Sequence, residues 1–576
     1  MKIAAVSRKW SMYNPDPALV DRISTEHNVS HLVATVMANR GITPCAAAKY
    51  LSPTLSTMYD PSGLHQMGAA ADRFANAIMN GEICFCVGDF DADGTNATAI
   101  LLRFGKMLGF EIHPYIPDRI KEGYGLSEDA LRFIQAAGAS LVLTVDLGVT
   151  AVKEAKICKE LGMDLVITDH HAVNEDGILP DAVAVVNPHI ESSYPYQHLS
   201  GAGVAFALVV ATRKVLRDRG YFHKRSEPKV IELLPFVALA TIADLVELKS
   251  ENRLFVTHGL KTMYSIPGLK ALAQVSGLDV NTPPSAGQIG FRLGPRINAS
   301  GRMSSAATAL ELLTTDSPAR AEELAGILDR FNQERQAEEL RVVTEALAML
   351  EVDPELLNRK TIVLAGDFAP GVIGIAASRL TEMFHRPTII ISERQDGTGK
   401  GSCRSISAFH MRQGLGKCSL LLAGFGGHPM AAGLSLKMSD LEAFKEAFEK
   451  AAAHLTEDDL RPVTRIDAEL VEDQITVGTV DELEQLQPFG MGNAGPVFCA
   501  YQASVISVNQ LKEKHLKLNL MIGGTRFTAL GWGMADREHE IEGMIDAAFT
   551  LDINEWRGER TIQLILKDFM PSASAF

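Results

Sequence analysis

Apolar residues in the first half of the chain come in short runs that each stop at an acid. Residues 83–87 form one such run, flanked by glycines, and Asp89, Asp91 and Asp93 follow it directly. This predicts a buried strand ending in an acidic loop. Ala97, Ile100, Leu101, Phe104 and Leu108 then fall on one helical stripe, and residues 111–116 return to a strand-like pattern. The unit recurs. Ser127 is placed to cap a helix through about Ala137, Leu141–Val145 is a strand ending at Asp146, and Thr150 is placed to cap a helix over 151–161. The apolar run Asp164–Thr168 then leads into Asp169, His170 and His171. Such alternation predicts a parallel sheet covered on both faces, with right-handed crossovers.

In such sheets ligands bind outside the carboxyl ends of the strands, which is where all three acidic clusters fall. A single aspartate at a strand end reads most simply as the cap of the next helix. Three such ends together concentrate more negative charge at one sheet edge than burial permits without cations. Carboxylates are hard oxygen ligands and imidazole suits borderline ions, so the mixed Asp/His set points to manganese or magnesium rather than a thiolate-bound structural zinc. Asp244, alone in the apolar stretch 235–246, needs a partner, either the same cations or an arginine.

Arg296 and Arg302 lie in a Gly/Pro/Asn-rich segment that reads as a loop, either surface charges or forks for phosphate oxygens. Around Gly401, Ser402, Cys403 and Arg404, glycine-freed amides beside Ser402 and Arg404 suit a concave anion site, although the composition equally fits an ordinary turn. Gly424 to Pro429 opens a run, Met430 to Gly433, that reads as helical or tightly packed. It sets His428 among glycines as a phosphate donor or a packing group. Ser317 and Pro318 start a helix whose stripe (Leu324, Ile327, Leu328, Phe331, Leu340, Val343, Leu347, Leu350) runs to Val352, with a solvated face around Glu334, Glu338 and Glu339. Beyond residue 460, alternating strands such as 515–520 and 561–566 suggest a small barrel. Tyr501, Trp532, Trp556 and Arg557 are available there for single strands, core packing being the commoner fate of aromatics.

From about residue 80 onward these landmarks, in this order, resemble the DHH phosphoesterase superfamily, and within it the RecJ single-strand-specific exonucleases. They are Gly88 to Gly94, Val145-Asp146, Thr168 to His171, Ala243-Asp244, Gly294 to Arg302 and Gly424 to His428. The resemblance implies an α/β multidomain chain. Its parts are an N-terminal extension (1–70), a parallel-sheet DHH catalytic domain (71–316), a long connecting helix (317–352), an α/β DHHA1 domain (353–460) and a C-terminal OB-fold-like β-barrel (461–576). It further implies two divalent ions, Mn2+ or Mg2+, with Asp91 on one, Asp93, His170 and Asp244 on the other, and Asp146 bridging. Two ions about 3.5–4 Å apart suit in-line phosphodiester hydrolysis without a protein nucleophile. His171 would face the scissile phosphate, with Asp146 and Arg296 completing the catalytic set. Arg119, Arg296, Arg302, Ser402, Arg404 and His428 would hold nucleic-acid phosphates, the Ser402–Arg404 pocket with Arg119 taking a 5′-terminal phosphate. Two positions depart from the family pattern. Val87 stands where many relatives have histidine, so Asp89 is the candidate to complete the first ion's ligands. Leu147 stands where asparagine is usual, which removes a hydrogen bond behind the ligands.

Composition bounds this picture. A chain of 576 residues exceeds one core. A net charge of −15, from 55 basic and 70 acidic residues, does not advertise a nucleic-acid binder, so affinity must come from a local channel. Seven cysteines without a Cys-x-x-Cys pair fit reduced thiols, and no apolar window approaches a membrane span. The expectation is a soluble, cytoplasmic, monomeric exonuclease that degrades single-stranded DNA from the 5′ end to mononucleotides in DNA repair and recombination. Its expected partners are a single-strand-binding protein and a RecQ-type helicase. The alternatives are a DHH phosphodiesterase of short oligonucleotides or cyclic dinucleotides, and a catalytically silent single-strand-binding scaffold.

Overall fold

The computed structural model describes residues 8–118, 122–174, 176–556 and 558–572. Two compact units divide the chain. One comprises residues 45–333 with 486–495, and the other the described residues up to 44, then 334–485 and 496 onward.

The first unit carries a five-stranded sheet in the order Ile112–Tyr115, Cys84–Gly88, Leu141–Val145, Asp164–Thr168, Ala184–Val186, parallel throughout. Its strands are almost wholly apolar because both faces are covered. On Cys84–Gly88, Cys84 and Cys86 point into the core formed with Phe74, Phe104 and Phe206. Phe85 and Val87 point into the opposite core with Leu131, Ile134 and Ile167. The sheet order reverses between Cys84–Gly88 and Leu141–Val145, which is the topological switch point where doubly wound sheets open a crevice. Asp89, Asp91 and Asp146 follow these two strands.

In the second unit, a mixed sheet runs in the order Gly424–Gly427, Ala431–Lys437, Thr398–Arg404, Thr388–Glu393, Ile362–Gly366. Phe498–Leu511, His515–Ile522, Thr525–Gly531, Glu559–Pro571 and Met544–Trp556 close into a barrel through the pairing of the first with the last. An N-terminal strand, Lys9–Met12, pairs in parallel with Val463–Ile466. Nearby, Arg40 and Asn39 both donate to the Asp467 carboxylate. The helix Pro318–Val352 begins in the first unit's residues and ends in the second's, as its capping and stripe predict.

Several expectations require correction. Thr150 caps nothing: the helix is Val152–Glu160, Ala151 is its N-cap, and no side chain bonds its first turn. The nearby amide of Val149 goes instead to Asp169. The segment with Arg296 and Arg302 is not a loop but the helix Gly294–Met303, where Pro295 is tolerated because a first-turn N–H needs no partner. Residues 401–404 lie in the strand Thr398–Arg404 rather than in a turn, and Met430 to Gly433 lead into the strand Ala431–Lys437 rather than a helix. Gly399 and Gly401 there, and Gly427 in the strand before the second, leave no room for a side chain, a Cβ at each meeting a neighbour within 2.5–2.9 Å. On the long helix, Glu334 is exposed and Glu338 half-buried as a solvated face requires, but Glu339 is buried and paired with Arg335 and Arg379, and Leu340 of the apolar stripe is 61% exposed. On the barrel, Tyr501 and Trp532 are exposed rather than packed in the core, and Arg557 lies outside the described residues.

Candidate metal centre

Each member of the site is placed by a strand end or a helix end. Asp91 is the N-cap of the helix Ala92–Leu108, its Oδ1 accepting from the amides of Asp93 and Gly94 at 2.9 and 3.0 Å. Asp93, in the first turn, accepts from the amides of Gly201 and Ala202 at 2.7 and 2.8 Å and so caps a second helix, Gly201–Asp218. Capping therefore accounts for part of what these acids do, as the simplest reading of the sequence holds. Asp244 is the C-cap of Leu234–Ala243 and brings a carboxylate to a helix end where its charge opposes the dipole.

Asp146 follows its strand at φ 61°, a left-handed conformation that side chains other than glycine adopt at some strain. Gly201 leaves the space for it: a Cβ at 201 would lie 2.6 Å from the Asp146 Cβ and Oδ1. The Asp146 carboxylate is buried, and its Oδ1 accepts no hydrogen bond. His170 Nε2, also buried without a hydrogen bond, stands 3.0 Å away, with Asp93 Oδ2 at 3.6 Å and Asp244 Oδ2 at 3.8 Å. Buried polar atoms are rarely left unsatisfied. Here two converge on one point among acids.

Asp169 behaves differently. Its carboxylate accepts from the amides of Val149, His170 and His171 and from His171 Nδ1, at 2.7–3.1 Å. It is fully used in shaping the turn and orienting the His171 ring, whose Nε2 stays available. Burial alone would raise Asp169, but its bond and charge pairing with His171 and the backbone donors outweigh this and hold it below the usual range. Burial disfavours the His171 imidazolium, yet the bond to Asp169 lifts the ring to about 9. The other acids move the opposite way. Burial, then repulsion from Asp93, Asp91 and Asp89, pushes Asp146 well above the ordinary carboxylate range. Burial also raises Asp93 against the counter-pull of His170, and burial with repulsion from Asp93 and Asp91 takes Asp244 to about 8. Like charges at this density favour a cation over protons as the neutralising partner.

Three overlapping donor sets fit such cations: Asp89, Asp91 and Asp146; Asp93, His170 and Asp244; Asp146, His170 and His171. Within each, the donor atoms lie within 4.8 Å of one another. Asp146 and His170 each belong to two of the sets, and of the two only the carboxylate has a second oxygen with which to bridge. Val87 and Leu147, the two departures from the family pattern, are buried aliphatics in the core. Asp89 stands with Asp91 and Asp146 on the side where a histidine at 87 is lacking.

The remaining predicted residues are spread more widely. Arg296 is engaged by Asp329 at 2.8–2.9 Å and by the carbonyl of Arg292 at 2.7 Å, and Arg302 lies half-buried on the same helix. In the second unit, Arg404 donates to Ser402 Oγ at 3.2 Å. Both side chains abut Gly374 in the first turn of Ile373–Phe384, a helix whose N-terminus has no side-chain cap. His428 is exposed at the hairpin between Gly424–Gly427 and Ala431–Lys437. Arg119 lies outside the described residues.

Sequence reasoning missed four contributors. Asn187 donates to the carbonyl of His171 at 2.9 Å, and Asn298 accepts from the amide of Ala92 at 2.8 Å. Tyr124 brings its hydroxyl within 3.2 Å of His171 Nδ1, and Asp329 holds Arg296. Asn187 follows the fifth strand, Ala184–Val186, so the strand-end rule would have found it; Asn298 lies inside the Gly294 to Arg302 landmark, and Tyr124 and Asp329 carry no local signal.

Family models match along the chain: the DHH family N-terminal domain at residues 84–241, the DHHA1 domain at 358–454 and the RecJ OB domain at 466–568. The single-stranded-DNA-specific exonuclease RecJ of Bacillus subtilis (strain 168) is 37% identical, over 98% of this chain and 71% of that protein. The Escherichia coli (strain K12) protein of the same name is 34% identical, over 94% and 96%. The crystal structure of RecJ in complex with Mn2+ from Thermus thermophilus superposes with a TM-score of 0.84 at 30% identity, over 98% of this chain and 80% of that one. Its Mg2+ complex gives 0.77 at 28%, over 98% and 79%. With such relatives more than 30% identical over nearly all of its length, the chain is a member of the RecJ family.

Proposed function

We propose that the chain is a metal-dependent exonuclease that degrades single-stranded DNA from its 5′ end, releasing mononucleotides. The observation that carries this reading is the buried pair Asp146 Oδ1 and His170 Nε2, 3.0 Å apart, unbonded and ringed by Asp93 and Asp244. Asp89 and Asp91 would hold one divalent ion, Asp93, His170 and Asp244 the other, and Asp146 both. When bound, Mn2+ or Mg2+ supplies water activation and neutralises charge on the leaving oxygen. Asp169 fixes the His171 ring by its Nδ1, which leaves Nε2 to meet the scissile phosphate. Arg296, held at a defined angle by Asp329, is the candidate to neutralise a phosphate oxygen, with Arg302 one turn and a half further along the helix.

Ser402 and Arg404, beside the first turn of Ile373–Phe384, which has no side-chain cap, offer a hydroxyl and a guanidinium at a helix N-terminus, a donor set that suits a terminal phosphate. The family resemblance makes that phosphate the 5′-terminal one, with His428 as a further phosphate ligand. The barrel's exposed Tyr501 and Trp532 suit base stacking. A substrate that must be single-stranded calls for duplex opening and strand protection upstream. A helicase of the RecQ type and a single-strand-binding protein are therefore the expected partners of a monomeric enzyme. All seven cysteines are free thiols, which fits a cytoplasmic setting; among the described residues no helix is long and apolar enough to cross a membrane.

The test is digestion of strands labelled at either end, with and without a 5′ phosphate, in Mn2+ or Mg2+, beside a duplex control. Early release of the 5′ label as mononucleotide, with duplex spared, is expected. Cleavage of dinucleotides alone, or binding without cleavage, would overturn the reading.

A further inference from the structure

Asp244 closes its helix, and the next residue, Leu245, takes a left-handed conformation at φ 57°. That conformation is strained for leucine, and it leaves the side chain 67% exposed. Across a shared cavity one π-helical turn, Ile289–Leu293, carries Phe291, 87% exposed. Single π-turns concentrate at functional sites because they re-aim one side chain. Two large apolar groups are thus held in water by unusual backbone, one of them directly beside a proposed metal ligand.

The cavity between them has a volume of about 380 Å³ and is completed by Phe489 and Met491, with Gly287 and Gly290 leaving it open. Every side chain that lines it is apolar. Its far wall is pinned. Asn493 donates to the carbonyls of Leu486 and Pro488 at 3.0 and 2.8 Å, Tyr50 donates to Asn493 Oδ1 at 2.8 Å, and the Leu248 amide donates to the Met491 carbonyl at 2.7 Å. A wall held this way is preformed, so filling the cavity requires little ordering.

A phosphate or sugar finds no polar side chain in such a lining, whereas the flat face of a base matches it. The Cα of Leu245 lies about 3.8 Å from that of Asp244, so a strand whose phosphate meets the metal centre carries an adjacent base to the cavity mouth. Unpaired bases expose these faces and paired ones hide them in the stack. We infer that this cavity is a nucleobase subsite that accepts an unpaired base next to the scissile phosphate and so contributes to the selection of single strands. The inference rests on the exonuclease reading above.

The test uses the full chain with Mn2+ and 5′-phosphorylated strands that carry one abasic position, stepped along from the 5′ end. Wild type is expected to lose about tenfold in kcat/KM at one register, the scale of a single base–aromatic contact. Phe291→Ala removes the exposed ring. Gly287→Leu fills the cavity, since a Cβ at 287 meets only Ser285 Oγ, at 3.8 Å. Both variants should lose a similar factor on the intact strand and become indifferent to the abasic position. If Gly287→Leu fails to fold, Phe291→Ala still decides. Intact strands degraded with no abasic sensitivity at any register, or with sensitivity undiminished in the variants, overturn the subsite and leave the exonuclease reading standing, with an apolar segment of another protein as the better occupant. Wild type that neither binds nor degrades any single strand defeats that reading and the subsite with it.

Discussion

Asp146 and Asp169 end neighbouring parallel strands, Leu141–Val145 and Asp164–Thr168, and each is 1% exposed. Their chemistry is opposite. Asp169 accepts three amides and an imidazole N–H and sits below the ordinary carboxylate range, while Asp146 Oδ1 accepts no hydrogen bond and its carboxyl is driven well above that range. Burial is the same for both; what differs is the supply of donors. A buried acid whose lone pairs are spent on the backbone organises structure, and one left unsatisfied among like charges is prepared for a cation.

The sharpest way to break this contrast is to remove each acid in turn. Asp146→Ala should lower hydrolysis by about a thousandfold or more, since it deletes the shared ligand. The metal-free protein should melt no lower than the parent, because a poorly satisfied charge has gone. Substantial remaining activity would sink the two-ion arrangement. Asp169→Asn should cost less in rate, roughly ten- to a hundredfold, through misorientation of His171. It should cost more in stability, about 1–3 kcal/mol, because an NH2 replaces one of the two acceptor oxygens and leaves its buried donors unsatisfied. Equal melting temperatures for the two variants would contradict the division of roles.

A third buried acid sharpens the point. Glu251 accepts from the Tyr59 amide and the Tyr194 hydroxyl, yet burial raises it to about 7 against the opposing pull of the Tyr59 amide and of Lys49. The folded protein therefore holds this proton at pH values where the unfolded chain has released it. Stability falls as pH rises from about 4.5 to 7 and stays lower above. Glu251→Gln should remove that slope, raising stability at pH 8 by about 1–3 kcal/mol and leaving it nearly unchanged at pH 4, as thermal melts across pH would show.

The smallest expected effect concerns two helix starts that look alike in sequence. Ser127 Oγ accepts from the Ala130 amide, so Ser127→Ala should cost about 1 kcal/mol. Thr150 makes no such bond, and Thr150→Ala should stay within about 0.5 kcal/mol in the same melts.

That last pair marks where local reasoning ends. Both residues suit an N-cap by type, but the helix after Thr150 starts at Val152 with no side-chain cap, while Asp169, nineteen positions beyond Thr150, takes the Val149 amide. The same limit explains Arg296 and Arg302: glycine and proline content reads as loop, whereas packing against neighbouring helices makes a helix of it. Of the two readings of Met430 to Gly433, helical or tightly packed, the fold keeps only the second, because Gly433 pairs with Ser402 on the neighbouring strand.

The period of the apolar positions and the acids at their ends determined, from sequence alone, the parallel sheet, its crossovers and the identity of the acidic residues at its edge. Side-chain alternation is a local property of the chain, and a strand buried on both faces has few other ways to be written. Which of those acids is spent on hydrogen bonds, which is left bare, and which apolar residues stand out into water beside them was decided only by the fold. Donors for Asp93 come from residues 201 and 202, the space for Asp146 from Gly201, and the hold on Arg296 from Asp329. These partners are far apart in the chain and adjacent only after folding.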